Sequence, residues 1–181
     1  MENKAIFLDI DGTLCDKSGV IPESAKKAIK VAKQKGHQFF LCTGRTKGEI
    51  TQEILDLNVR GIIGAGGGYC EVERQVILHE TLPEKELREM LNYFNGNNIA
   101  YYLQTSESLI ATPNLKTEMK DLLLKYSKGD KNILKSVQWF FDLFIEETKI
   151  DYSQISKVCF INQRECKIFC VNRKKEVPSV E

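Results

Sequence analysis

Alternating apolar and polar blocks predict strands and helices through the first part of the chain. Short apolar runs at residues 4–10, 38–42 and 61–65 have the length and the boundary residues of buried strands. Between them, residues 22–36 and 47–57 carry apolar side chains at helical intervals. This strand–helix–strand–helix–strand order, with its short connections, predicts a parallel sheet in an α/β layer.

The pattern changes after three consecutive glycines at residues 66–68. Residues 70–78 alternate in the manner of an exposed hairpin. The remaining segments predict helices at 84–94, 115–126 and 133–145 and strands at 100–104, 108–112 and 157–161, the last as a middle strand. The mixture predicts an α+β insertion that begins near residues 80–83, and not a continuation of the parallel sheet.

Composition excludes several classes of protein. The hydrophobic content of 42% is sufficient for a folded core, and 26 basic against 25 acidic residues exclude a nucleic-acid polyelectrolyte. There is no run of eighteen apolar residues, and Glu2, Asp9 and Asp11 interrupt any signal peptide. We therefore expect a soluble, cytoplasmic protein that binds neither nucleic acid nor membrane.

The cysteines favour packing over metal or redox chemistry. No Cys-x-x-Cys pair occurs, and the only histidines, His37 and His79, lie far along the chain from the closest cysteine pair. Most of the cysteines adjoin strand-like apolar runs, where a reduced thiol behaves as a small hydrophobe. The six positions are Cys15, Cys42, Cys70, Cys159, Cys166 and Cys170.

Two carboxylates follow the first predicted strand directly. Asp9 and Asp11 at positions i and i+2 of an extended segment point to the same side, at the strand end where α/β sheets bind ligands. Gly12 permits a tight turn and Thr13 adds a hydroxyl beside exposed amides. Because two adjacent carboxylates repel each other, the pattern predicts a hard divalent cation between them.

The second strand ends in Thr43-Gly44-Arg45 and is predicted to open a helix. A hydroxyl, free amides at a helix N-terminus and a guanidinium together form an anion site. Alternatively, Thr43 is an ordinary N-cap and Gly44 a turn residue. The carboxylates at the end of the neighbouring strand favour the anion site, because they would bind a metal beside it. A phosphate is the simplest ligand that could contact both the metal and the anion donors.

These segments resemble the motifs of haloacid dehalogenase-type (HAD) phosphohydrolases. Residues 7–14 resemble the first motif and residues 43–45 the second, in an element order similar to the Cof-type sugar-phosphatase branch with its large cap. The resemblance implies an α/β fold with a partial, Rossmann-like HAD core at 1–82, an incomplete α+β cap domain at 83–161 and a tail at 162–181.

The resemblance also implies a role for each site residue. Asp9 would be the nucleophile that forms an aspartyl-phosphate, and Asp11 the general acid and base. The Asp9 carboxylate and the Asp11 backbone carbonyl would bind Mg²⁺. The implied phosphate-binding residues are Gly12, Thr13, Thr43, Gly44 and Arg45.

The chain departs from the family pattern in three places. Glycines 66–68 replace the usual Asn-Gly-Ala, and the third and fourth motifs, a lysine and a Gly-Asp pair, are absent. Residues 129–132 match the Gly-Asp motif only superficially, and their polar surroundings favour a surface turn. The basic residues of 162–181 favour a solvated tail. We therefore expect a partial core with low stability, self-association through an uncovered sheet edge, or a chain that is the front part of a longer protein.

The leading hypothesis is a Mg²⁺-dependent phosphatase of small phosphorylated metabolites such as sugar phosphates, with weak or no activity if truncated. A non-catalytic module that binds phosphate ligands is the alternative, and phosphoryl transfer by a mutase uses the same residues. The sequence does not support a P-loop kinase, because it contains no Gly-x-x-x-x-Gly-Lys motif. Cap residues that face the substrate would select it, but ordinary strand positions are the favoured interpretation for Tyr101, Tyr102, Gln104 and Thr105.

Overall fold

Two five-stranded sheets organise the chain. The computed structural model describes residues 2–16, 19–128, 134, 137–145, 150–162 and 167–172. The strands and helices associated with the first sheet are β1 (Ala5–Leu8), α1 (Glu23–Gln34), β2 (Gln38–Cys42), α2 (Gln52–Leu55), β3 (Gly61–Gly64), β4 (Tyr69–Val72) and β5 (Gln75–His79).

The first sheet has the order β1-β2-β3-β4-β5. β1, β2 and β3 are parallel, which confirms the predicted parallel layer, and the hairpin β4–β5 extends it in antiparallel pairing. The register pairs Leu8 with Leu41, so β1 and β2 end side by side. β1 has no second neighbour among the described strands and forms the sheet edge.

Only one face of the parallel strands is covered by helix α1. Ile29 of α1 packs with Leu41 and Ile62 of the sheet in a buried cluster. On the opposite face, Phe7 is 56% exposed and stacks on Phe40 with ring centroids 5.1 Å apart. The sheet therefore presents an apolar surface beside its open edge.

The second sheet has the order β10-β9-β6-β7-β8. Its pairings are antiparallel except for the parallel pair β7–β8, and β9 lies between β6 and β10, as predicted for a middle strand. The associated elements are α3 (Glu84–Gly96), β6 (Tyr101–Gln104), β7 (Leu109–Ala111), α4 (Leu115–Tyr126), α5 (Gln138–Asp142), β8 (Phe144–Ile145), β9 (Lys157–Asn162) and β10 (Lys167–Asn172).

Helices cover both faces of this second sheet. Leu91 of α3 packs with Leu103 on one face, whereas Met119 of α4 packs with Tyr102 on the other. Every residue of β6 is consequently buried, which explains why its sequence does not alternate between apolar and charged positions. The two cores and the mixed pairing agree with the predicted α/β class and α+β insertion.

Two predicted helices are shorter than the periodicity indicated. Residues 47–57 form a 3₁₀ turn at Lys47–Glu49 followed by the single turn α2, because the Glu49 side chain turns back to accept a hydrogen bond from the Thr46 amide. In the predicted helix 133–145, α5 gives way to β8, because residues 144–145 pair with β7. The hydrophobic spacing was correct, but cross-strand pairing ended the second helix.

The predicted tail contains a strand. Residues 167–172 form β10, which pairs along the whole of β9, so the prediction of a solvated tail was wrong for this segment. An apolar stretch, Ile168–Val171, stands ahead of the basic residues that dominated the prediction. The predicted surface turn at 129–132 and the basic cluster at 173–176 lie outside the described residues.

The expectation of uniformly reduced cysteines was also wrong. Cys159 on β9 lies directly opposite Cys170 on β10, with Cα atoms 4.1 Å apart, and the two form a disulfide. Cys15, Cys42 and Cys70 are free. The pairing depends on the β9–β10 register, and β10 lies in the segment predicted to be a tail.

None of the helices in the described segments has the length and apolar character needed to cross a membrane.

Gly61 tests how closely β3 and β4 pack. A Cβ at this position would lie 2.5 Å from the backbone oxygen of Glu71 and 3.0 Å from the Phe40 ring. We expect Gly61→Ala to lower the free energy of unfolding by about 2 kcal/mol, measured by urea denaturation, because the clashing atom belongs to the backbone. Gly96→Ala is the matched control, since its Cβ meets nothing within 4 Å; equal stability of the two variants would contradict the prediction.

Candidate active site

The loop after β1 is a tight turn that exposes its polar residues. The Leu14 amide donates to the Asp9 carbonyl at 3.1 Å, and the Cys15 amide donates to the Ile10 carbonyl at 2.9 Å. Gly12 has φ +77°, a left-handed conformation that glycine adopts without a steric penalty. The turn therefore depends on glycine at this position, as the sequence predicted.

In this loop, apolar side chains are buried and polar side chains are exposed. Ile10 and Leu14 are 0% and 3% exposed and belong to the core of the first sheet. Asp9, Asp11 and the Gly12–Thr13 pair are exposed. The apolar anchors fix the loop, and its carboxylates face solvent at the carboxyl end of β1.

The loop after β2 holds Thr43 rigidly. Thr43 is 5% exposed, its amide donates to the Ile63 carbonyl at 2.9 Å, and its Oγ1 accepts the Arg45 amide at 3.2 Å. Gly44 is exposed, and a Cβ there would meet nothing within 4 Å. Open space therefore adjoins the backbone of Gly44 next to a fixed hydroxyl.

The predicted helix N-terminus at residues 43–45 is wrong. The first helical residue after β2 is Lys47, and it begins a 3₁₀ turn of three residues. Such a short turn has little macrodipole, so any anion affinity of this loop depends on individual donors and nearby cations. The physical reason is local: Thr46, not Thr43, occupies the position before the turn.

Arg45 joins the two loops. Its Nε and Nη2 donate to the two carboxylate oxygens of Asp11 at 3.0 and 2.7 Å, and its Nη1 donates to the Glu49 carbonyl at 3.1 Å. The Arg45 side chain is 11% exposed and that of Asp11 64%. This two-pronged contact fixes the Asp11 carboxylate from one side and leaves it open to solvent on the other.

Two residues associated with the second sheet approach the same place. The Arg45 guanidinium carbon lies 4.9 Å from the centre of the Trp139 ring, and a Cβ added at Gly19, in the loop after β1, would lie 3.7 Å from Trp139 Nε1. From β9, Lys157 Nζ donates to the Gly44 carbonyl at 3.4 Å. The candidate site therefore lies where the carboxyl ends of β1 and β2 meet the second sheet.

Buried polar contacts hold this junction together. Gln104, fully buried on β6, donates to Glu49 Oε1 at 2.8 Å. His79 of β5 lies within hydrogen-bonding distance, 3.0 Å, of the Ser156 hydroxyl. The turn at Glu107 approaches Gly48 so closely that a Cβ there would lie 2.8 Å from its backbone. The two sheets thus meet through specific contacts beside the candidate site.

The four residues weighed as substrate contacts occupy structural positions. Tyr101 and Tyr102 lie in opposite cores of the second sheet, and Gln104 contacts Glu49. Thr105 caps the β6–β7 turn, where its hydroxyl accepts the Ser108 amide at 2.9 Å. These positions agree with the favoured interpretation of ordinary strand and turn residues.

Lys47, close to the candidate site, is committed to a separate cluster. It forms an ion pair with Glu71, which also accepts the Tyr69 hydroxyl at 2.6 Å. Burial pushes the pKa of Glu71 upward, but the hydrogen bonds from Lys47 and Tyr69 outweigh it, and the pKa is lowered. Burial, reinforced by Glu71, raises the pKa of Tyr69. The cluster is therefore a carboxylate held charged by Lys47.

The residues at the candidate site fit a magnesium ion only if water and the substrate's phosphate complete its coordination. No group of three or more His, Cys, Asp or Glu residues that could hold a metal occurs in the described ranges. Mg²⁺ is commonly held by one or two carboxylates together with waters and substrate phosphates. Arg45 occupies both Asp11 carboxylate oxygens, which leaves the Asp9 carboxylate and the Asp11 backbone carbonyl as the residues that fit.

A large cavity lies elsewhere in the described part of the chain. It has a volume of about 800 Å³ and is lined at the opposite, amino-terminal ends of β2 and β3 by Gln38 and Gly61. Its charged groups are engaged locally: Arg60 pairs with Glu73 at 3.0 Å, and Lys33 donates to backbone carbonyls. The chemistry of the exposed carboxylates, and not cavity size, identifies the candidate site.

Comparison with known proteins identifies the family. The family model described as haloacid dehalogenase-like hydrolase matches residues 6–178. The chain belongs to this family. The chain is 30% identical over 112 residues to YkrA of Bacillus subtilis (strain 168), covering 62% of this chain and 44% of YkrA.

Two further proteins are similar to this chain. The 5-amino-6-(5-phospho-D-ribitylamino)uracil phosphatase YwtE of Bacillus subtilis (strain 168) is 31% identical over 109 residues, covering 60% of this chain and 38% of YwtE. The structure of the HAD subclass IIB sugar phosphatase BT4131 superposes with a TM-score of 0.64 and 24% identity, covering 91% of this chain and 60% of that one. The chain thus spans about two fifths of the two curated relatives and three fifths of this HAD structure.

Sequence reasoning identified both loops of this HAD chain but missed residues that surround them. Glu49, which supports Arg45 and Thr46, carries a usable signal, because Thr-x-x-Glu at 46–49 is a capping-box pattern. Trp139 and Lys157 carry no such local signal. They reach the loops after β1 and β2 only through the packing of the second sheet.

Proposed function

We propose that this chain carries the nucleophile and acid–base centre of a Mg²⁺-dependent phosphatase that hydrolyses small phosphorylated metabolites. The observation that carries the proposal is the two-pronged contact of Arg45 with Asp11, which joins the loops after β1 and β2. Membership of the HAD-like hydrolase family and the phosphatase names of relatives support it. The sugar phosphatase among the structural neighbours supports sugar phosphates as the substrate class.

In the first half of the proposed reaction, an Asp9 carboxylate oxygen attacks the phosphorus of a phosphate monoester. The new P–O bond gives an aspartyl-phosphate while the bond from phosphorus to the ester oxygen breaks. Asp11, entering as the neutral acid, donates its proton to that leaving oxygen and becomes a carboxylate. Arg45 then stabilises the carboxylate that this transfer creates.

In the second half, water hydrolyses the intermediate. The Asp11 carboxylate accepts a proton from the water as its oxygen attacks phosphorus, which returns Asp11 to the neutral acid. The bond between phosphorus and the Asp9 oxygen breaks, releasing inorganic phosphate and regenerating the Asp9 carboxylate. Both halves therefore use the same two exposed side chains on one turn.

The phosphate group would be held by donors of the two loops. Thr43, with its buried and fixed hydroxyl, and the amides near Gly44 border open space after β2. Gly12 and Thr13 are exposed after β1. A Mg²⁺ ion held by the Asp9 carboxylate and the Asp11 carbonyl would neutralise negative charge on the transferring phosphoryl group. Of the phosphate-binding residues expected from the sequence, Arg45 is the one that receives a different role, as the partner of the Asp11 carboxylate.

The rest of the chain receives a role within this proposal. Residues 1–82 would form the amino-terminal part of the core, and residues 83–161 the cap that selects the substrate. Trp139 and Lys157, which contact the site loops, support the cap assignment. Because β1 leaves one edge of the first sheet open beside exposed Phe7, we also propose self-association through that edge.

The proposal is tested with the purified chain and p-nitrophenyl phosphate. We expect p-nitrophenol release with Mg²⁺ and at least about 100-fold slower release after chelation with EDTA, because the metal neutralises transition-state charge. Calcium serves as the control cation, since its looser coordination geometry supports this chemistry poorly. Release that is equal with and without Mg²⁺ would contradict the proposed mechanism.

If no turnover is measured, a phosphate-binding experiment tests the alternative function. If the chain releases no p-nitrophenol but inorganic phosphate raises its thermal midpoint, phosphate binding without catalysis is the function of this chain. If phosphate shifts nothing either, the assignment of both loops to a phosphate site is wrong.

A further inference from the structure

We propose that Lys157 is a binding residue that holds the substrate's phosphate group against the Thr43–Gly44 loop. The proposal rests on the proposed phosphatase function and adds a phosphate contact supplied by the second sheet. Its basis is the approach of Lys157 Nζ to the Gly44 carbonyl across 113 residues of sequence, at 3.4 Å.

The start of β9 is fixed against the first sheet, which places Lys157 beside the loop. Lys157 pairs in register with Gln104, whose side chain donates to the buried Glu49. The preceding residue, Ser156, is 5% exposed and lies against His79 of β5. The Gln104–Glu49 and Ser156–His79 contacts therefore fix β6 and the residue before β9 against the first sheet, and Lys157 reaches Gly44 from this fixed position.

The space at the end of this side chain is open to a ligand. Gly44 is exposed, and no atom lies within 4 Å of the position that a Cβ would take. A lysine ammonium has three donors on a flexible stem, and a single neutral carbonyl is its only hydrogen-bond acceptor in the described part of the chain. It can exchange that carbonyl for a phosphate oxygen with a small movement.

The charge balance of the two loops favours a further cation beside the proposed Mg²⁺ ion. Arg45 directs Nε and Nη2 to Asp11 and Nη1 to the Glu49 carbonyl, so its guanidinium faces the protein. Lys47 is paired with Glu71. A phosphate dianion and the Asp9 carboxylate together carry more negative charge than one Mg²⁺ ion neutralises, so a further positive charge lowers their repulsion. Lys157 forms no ion pair with a carboxylate in the described segments, so its charge is available for this purpose.

The test measures phosphate affinity directly and then separates binding from chemistry. Isothermal titration with inorganic phosphate, in EDTA and again in Mg²⁺, compares wild type with Lys157→Met, Lys157→Arg and Lys85→Met. Lys85, an exposed lysine of α3, is the matched control. We expect Lys157→Met to raise Kd about tenfold in both media, as loss of a charge-assisted hydrogen bond does, and Lys157→Arg and Lys85→Met to stay within about threefold.

Kinetics with p-nitrophenyl phosphate provide the second readout. A residue that holds the phosphate equally in the ground and transition states changes KM alone. We therefore expect Lys157→Met to raise KM about tenfold with kcat within about threefold, and Lys157→Arg to restore KM. If Lys157→Met does not fold, Lys157→Gln replaces it in both measurements.

The outcomes separate this proposal from the one it rests on. A wild-type chain that binds phosphate, together with a folded Lys157→Met variant of equal Kd and KM, overturns the role of Lys157 and leaves the phosphatase proposal intact. Failure of the wild-type chain both to bind phosphate and to release p-nitrophenol overturns both proposals.

Discussion

Asp9→Asn is expected to lower magnesium-dependent release of p-nitrophenol by about 10⁴-fold or more, the scale of losing a catalytic nucleophile. The amide has the size of the carboxylate but cannot attack phosphorus to form the acyl-phosphate. Since Asp9 is exposed and its backbone carbonyl holds the turn through Leu14, the substitution should leave the fold unchanged. The measurement is kcat at saturating substrate, together with the thermal midpoint of each variant.

The control for Asp9 is another exposed aspartate outside both loops. Asp121 on α4 is exposed, and Asp121→Asn changes net charge by the same amount. We expect its kcat to match that of the wild-type chain within about twofold. An Asp9→Asn variant that keeps more than about a tenth of the wild-type rate would refute the assignment of Asp9 as nucleophile.

The carboxylate loop was predictable because all of its signals are local. An apolar run ending in Asp-x-Asp-Gly-Thr determines both the strand and the turn, and the left-handed Gly12 lies where the sequence indicated it. The parallel order then places the second loop beside the first, since β1 and β2 end in register at Leu8 and Leu41. Periodicity and short-range turn chemistry are sufficient for this part of the site.

The loop after β2 shows where local reasoning fails. Thr43-Gly44-Arg45 and Thr46-x-x-Glu49 are both plausible helix starts, and the structure uses the second one, because the Glu49 side chain bonds to the Thr46 amide. Glu49 is held in turn by Gln104 from β6. A contact across 55 residues thus supports a choice that the local pattern leaves open.

The sequence predicted the strand segments β6, β7 and β9 of the second sheet, but not which strands pair or which core each side chain enters. Tyr101 and Tyr102 read as strand residues, yet only the sheet reveals that they enter opposite cores. The Cys159–Cys170 pairing needs the β9–β10 register, and β8 needs its pairing with β7. Such non-local contacts leave little trace in hydrophobic periodicity, because each strand is defined by its neighbours as much as by its sequence.

Arg45→Met should reveal how the arginine serves the general acid. We expect it to lower kcat about 100-fold for an alkyl phosphate such as glucose 6-phosphate, but less than tenfold for p-nitrophenyl phosphate. An alkoxide must be protonated as it leaves, whereas p-nitrophenolate is a stable leaving group. Because Arg45 holds both oxygens of Asp11, its loss disorders the acid without removing the Asp9 nucleophile.

Arg88→Met is the matched control for this experiment. Arg88 on α3 makes the same kinds of contact, with Nη2 2.6 Å from Glu84 and its guanidinium 4.2 Å from the Tyr152 ring, but it is more exposed and takes no part in either loop. Asp11→Asn should reproduce the leaving-group dependence of Arg45→Met, since both act on the same proton transfer. If Arg45→Met slows both substrates equally while Asp11→Asn discriminates between them, Arg45 acts on the phosphate itself, as the sequence first indicated, and not through Asp11.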